Sequence, residues 1–124
     1  ELEAERAAGR AERIVQSQIE KSLPDDADPS WLTLAYEPRW AIGTGKTPTP
    51  DEIASMHAIL RAKLRMMIGE AKADGIRILY GGSVTGANAA QILALDNVDG
   101  ALVGGASLTA EKFIPIIEGA ASVS

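Results

Sequence analysis

A chain of 124 residues, 46% of them hydrophobic, is sized for a single domain over residues 1–124 with a packed core, which excludes a disordered segment. Its 12 Lys and Arg against 17 Asp and Glu leave a net charge of −5, and this argues against general nucleic-acid binding, which needs a basic face. The lack of Cys excludes disulfides, thiolate metal sites and cysteine nucleophiles, and no apolar run approaches the ~20 residues of a membrane span. The charged start, Glu1 to Arg6, does not read as a signal peptide. The expectation is a soluble, cytoplasmic protein with no nucleic-acid or membrane partner.

Residues 2–22 predict a helix, because Ala7, Ala8, Ala11, Ile14, Val15 and Ile19 recur in steps of three and four. Leu23 to Ser30 carries two prolines and three acids and predicts a loop. Trp31 to Tyr36 is a nearly continuous apolar run of strand length, as in a parallel sheet covered on both faces. Gly43 to Pro50 is rich in Gly, Thr and Pro. Thr49, Pro50 and Glu52 then form a capping box with Pro at the first helical position, opening a helix that Gly75 closes. Ile76 to Tyr80 predicts a second strand, 86–95 a short helix, Gly100 to Val103 a third strand, and 109–119 a last helix. Strands alternating with helices imply an α/β fold with a parallel sheet and right-handed crossovers.

The unusual residues cluster at the C-terminal ends of these strands. Glu37 follows the first, Gly81, Gly82 and Ser83 the second, and Gly104 and Gly105 the third. In parallel α/β folds that end carries the active site. Glycines let a ligand approach the backbone, and the free amides of a loop leading to a helix bind anions without Lys or Arg. Tight turning is the plainer use of the same glycines. Glu37 is read either as a general base tuned by partial desolvation or as a solvated carboxylate at a strand end. The segment from Trp40 to Lys46, apolar in front, glycine-rich behind and bracketed by Pro38 and Pro48, has the makeup of a lid, or of a surface Ω-loop.

At these residues the chain resembles the triosephosphate isomerases. Ala35 to Thr47 is similar to that family's catalytic-glutamate and lid motif, Tyr80 to Val84 to its second phosphate loop, and Asp99 to Leu108 to its third. Glu1 with Glu5 to Gly9 resembles the start of the family's fifth barrel helix. The resemblance spans the whole chain and implies part of a (β/α)8 barrel: a helix followed by three β/α units. It implies that Glu37 moves a proton between adjacent carbons of a small phosphorylated triose, dihydroxyacetone phosphate or glyceraldehyde 3-phosphate. Gly43, Ser83, Gly104 and Gly105 would donate amides to the phosphate. Pro38, Trp40, Ala41, Ile42, Thr44, Gly45 and Lys46 would form the lid, held closed by Tyr80 and Ser83. No cofactor and no metal is implied, and His57 has no catalytic role.

Two departures qualify the likeness. Arg39 stands at the front hinge, where the family usually carries an apolar residue; beside Glu37 its charge would favour the ionised carboxylate and weaken the base, or else it points to solvent and does little. The chain also holds about half of a ~250-residue barrel, without the family's electrophilic lysine and histidine. The expected partner is therefore a complementary barrel half or a second copy. The alternative is a non-catalytic phosphate-binding or scaffold half that self-associates through strands apolar on both faces, as suggested by Leu32, Leu34, Ile76, Ile78, Leu102 and Val103.

Overall fold

The computed structural model describes residues 1–42, 44 and 46–123. In chain order the elements are α1 (Glu3–Ala7), α2 (Ala11–Ser22), β1 (Thr33–Tyr36), α3 (Pro50–Ile68), α4 (Glu70–Gly75), β2 (Arg77–Tyr80), α5 (Ala89–Leu93), β3 (Gly100–Ala101) and α6 (Ala110–Ser122). The strands form one parallel sheet in the order β1-β2-β3.

Both long predicted helices are interrupted, and for the same reason. Gly9 takes φ +74°, and the amides of Gly9 and Arg10 turn back to the carbonyls of Arg6 and Glu5, ending α1. Gly69, at φ +88°, separates α3 from α4. The capping box at Thr49 and Glu52 is present, with Pro50 at the first helical position. The helix predicted over 86–95 shortens to α5, because Asn88 bonds locally to Thr85 and Ser83. The first strand starts at Thr33, leaving Trp31 exposed, and the third stops at Ala101.

The core lies between the sheet and its helices. Tyr36, Ile78 and Tyr80 are buried there with Val15, Ile19, Ile53, Met56, Leu60 and Leu64. Strand residues alternate between faces. Leu34, Tyr36, Ile78 and Tyr80 therefore share the helix side, while Thr33, Ala35 and Arg77 are exposed on the other. This corrects the expectation of strands apolar on both faces. Four of the residues that suggested it, Leu32, Leu34, Ile76 and Ile78, sit at same-parity positions and belong to one side. On the opposite side Leu102 is exposed and Leu79 lies over Gly100, beside the small or polar residues Thr33, Ala35 and Arg77.

Candidate active site

The parallel register brings the three strand ends into line. Tyr36 pairs with Tyr80, and Tyr80 with Ala101. Two further bonds carry the alignment past the strands: Gly81 N–H donates to the Tyr36 carbonyl (2.8 Å) and Leu102 N–H to that of Tyr80 (2.9 Å). Glu37 thus comes to lie beside Gly81. A Cβ on Gly81 would stand 2.7 Å from the Glu37 Cγ, so glycine is what leaves room for the carboxylate's stem. Glu37 itself is exposed, as in the second of the two readings, a solvated carboxylate at a strand end. Arg39 is also exposed and forms no ion pair among the described residues.

Ser83, Gly104 and Gly105 are brought together. With Ile42, Gly81, Gly82, Val84, Thr85 and Ala106 they line a cavity of about 320 Å³. Among the described residues, the amides of Ser83, Gly104 and Gly105 donate to no other protein group. The glycine pair leads into a single 3-10 turn, Gly105–Ser107, and α6 begins only at Ala110. The donors here are therefore loop amides rather than a helix terminus.

The lid segment is only partly where its composition placed it. Trp40 is buried: its indole Nε1–H donates to Glu1 Oε1 (3.1 Å), and the Arg6 guanidinium lies 4.3 Å from the ring centroid. Pro38 and Ala41 are buried with it, whereas Ile42, Thr44 and Lys46 are exposed. The Thr44 hydroxyl donates to the carbonyls of Trp40 (3.0 Å) or Ala41 (3.1 Å), and Lys46 pairs with Glu3. Gly43 and Gly45 lie outside the described residues.

Tyr80 does not meet the described lid residues by hydrogen bonding. It is fully buried, its hydroxyl lies directly under Gly82, and that hydroxyl has no hydrogen-bond partner among the described residues. Ser83, its expected companion, is exposed on the cavity wall.

Glu1 entered the sequence reading only as part of a helix-start resemblance, with no contact assigned to it, yet its buried carboxylate anchors Trp40 and Tyr36. Besides Trp40 it accepts from the Tyr36 hydroxyl (2.8 and 3.0 Å) and pairs with Arg6 (3.4 Å). Burial, and the donation to Glu1, push the Tyr36 hydroxyl well above the ordinary tyrosine range. No local signal marks Glu1, because its three donors come from 5, 35 and 39 residues away. Among the described residues no group of His, Asp and Glu is placed to hold a metal ion.

Residues 1–120 match the family model of triosephosphate isomerase. A triosephosphate isomerase of Xanthobacter autotrophicus is 55% identical over 116 residues, covering 94% of this chain and 45% of that protein. One from Acidiphilium cryptum is 52% identical, covering 98% and 50%. The crystal structure of a triosephosphate isomerase from Bartonella henselae superposes with a TM-score of 0.87 at 37% identity, covering 96% of this chain and 47% of that one. The chain thus spans about half the length of the relatives it matches, and its sheet and helices correspond to part of a barrel.

Proposed function

We propose, since the chain belongs to the triosephosphate isomerase family, that it supplies the catalytic base and two phosphate loops of that isomerase and turns over only with a complementary barrel half. The observation that carries this reading is the grouping of Glu37 with the Ser83 and Gly104–Gly105 loops at one edge of the sheet. The triose phosphate's anionic end fits the unengaged loop amides, which need no cationic side chain. Glu37 then stands where it can take a proton from the carbon next to the carbonyl and return it to the neighbouring carbon.

A base alone stabilises the enediolate poorly, because nothing polarises the carbonyl where negative charge develops. The family's lysine and histidine have no counterpart at the matching motifs of this chain. Covering the open edge also removes Glu37 from water, which strengthens the base and protects the intermediate. The site of action in this reading is the cytoplasm. No described helix is long and apolar enough to cross a membrane.

The experiment is to mix the chain with the N-terminal half of the Xanthobacter relative and assay isomerisation. Activity is expected on mixing, with the chain alone lower by at least roughly 10². In the mixture, Glu37→Gln should remove most of it, about 10²–10⁴-fold. Full-rate turnover by the chain alone would overturn the dependence on a partner. A mixture that co-sediments yet shows no turnover would overturn the catalytic reading. Sedimentation of the chain by itself reports the competing occupancy, a second copy at the open edges. A cavity of about 300 Å³ with polar and apolar lining flanks β1, and a largely apolar one of about 340 Å³ flanks β3.

A further inference from the structure

His57, the chain's single histidine, is fully buried on α3 and takes no part in the site above. Its Nδ1 lies 2.9 Å from the Asn97 carbonyl. A carbonyl only accepts, so Nδ1 carries the proton and Nε2 presents a bare lone pair. That Nε2 is buried with no hydrogen-bond partner among the described residues.

The ring sits against two tyrosines. It meets Tyr36 edge to face, with centroids 6.0 Å apart, and Tyr80 at 6.3 Å. These residues end β1 and β2, immediately before Glu37 and Gly81. Tyr36 in turn donates to Glu1, which also holds Trp40. One imidazole therefore braces two strand ends and stands one residue away from the anchor of the lid's front.

The charged and titratable groups around it come from every neighbouring element. Arg61 lies one turn along α3; Asp99 and the Asn97 turn approach from the loop before β3; Tyr36 belongs to β1 and Tyr80 to β2. Asp99 already accepts from Arg61 Nη2 (2.6 Å) and Ile78 N–H (2.9 Å). A proton arriving at Nε2 would thus create a buried N–H without an acceptor, on a cation near Arg61.

We propose that His57 is an acid-sensitive latch, holding Tyr36 against Glu1 and Trp40 while neutral and releasing that anchor when Nε2 is protonated. Burial holds the ring's pKa below 6.5, and the Asn97 carbonyl and Asp99 oppose it more weakly. Because the closed state binds this proton less readily than the open one, the latch is complete above about 6.5 and is lost as pH falls through the depressed value.

The test is an NMR pH titration of the chain, following the His57 ring and both indole N–H signals. The Trp40 signal should move with the His57 midpoint, below pH 6.5, while Trp31, which is 54% exposed, and the far-UV circular dichroism stay constant. In His57→Gln the Trp40 response over that span should vanish. A Trp40 signal unmoved while His57 titrates, or one that still titrates in the variant, would overturn the proposal. So would a joint change of Trp31 and circular dichroism, which marks global unfolding. If the variant does not fold, the two midpoints in the unaltered chain decide the matter alone.

Discussion

The two ends of the sheet are built on opposite plans. At the end where the strands begin, the buried Arg61 guanidinium donates to the carbonyls of Ala73 (2.7 Å) and Ile76, to Asn97 Oδ1 (3.3 Å) and to Asp99 (2.6 Å). Asp99 also receives the Ile78 amide, so α3, α4, β2 and the turn before β3 are tied through one side chain. At the end where the strands finish, Glu37, Ser83, Gly104 and Gly105 are exposed, and the amides of Ser83, Gly104 and Gly105 donate to no protein group among the described residues. Polar groups satisfied by the protein fasten one end, and exposed polar groups that meet no described protein partner mark the other. This is the division between stability and chemistry expected along a β/α barrel axis.

The sharpest way to break the comparison is at Arg61. Arg61→Ala leaves Asp99 without its cation and takes the guanidinium from the Ile76 carbonyl, while the Ala73 carbonyl keeps only the Ile76 amide. It should lower unfolding free energy by about 3–5 kcal/mol, read as a lower urea midpoint. A loss below ~1 kcal/mol would show that water replaces the guanidinium and that this end is not fastened by it.

Gly82 tests the boundary between the two ends. A Cβ there would stand 1.9 Å from the Tyr80 hydroxyl, so Gly82→Ala should cost about 1–3 kcal/mol through overpacking. Adding Tyr80→Phe removes both the obstruction and an unpartnered buried hydroxyl, and should restore most of the loss. Failure of that rescue would place the strain in the backbone instead.

The smallest effect is expected at the open end. Glu37→Gln removes an exposed carboxylate and should change stability by no more than ~0.5 kcal/mol, even as it removes the activity of the reconstituted enzyme. A large stability change would mean that Glu37 is a structural group.

Much of the site was legible because its parts are local in sequence. A carboxylate or a glycine pair directly after an apolar run can be placed at a strand end without knowing the rest of the fold. The capping box at Thr49 was legible for the same reason, since its partners are three residues apart. The positions of Gly9 and Gly69 were visible too, but not their consequence. A glycine within a periodic run is compatible with a continuous helix, and only its positive φ shows that the helix stops. The two-sided apolarity read into the strands failed because same-parity residues from different strands were pooled.

The sequence by itself determined the order of helices and strands, the parallel sheet and the strand ends at which Glu37, Ser83, Gly104 and Gly105 stand. Those follow from periodicity and from short-range residue chemistry. Only the tertiary structure decided the fates of the polar groups between elements. Trp40 is an anchored buried residue rather than an exposed cover, because Glu1 and Arg6 meet it from the start of the chain. Arg61 and His57 read as unremarkable positions on an amphipathic helix, yet they are buried through partners 12 to 40 residues away. Such contacts depend on how the chain folds back on itself, and no pattern of neighbouring residues encodes them.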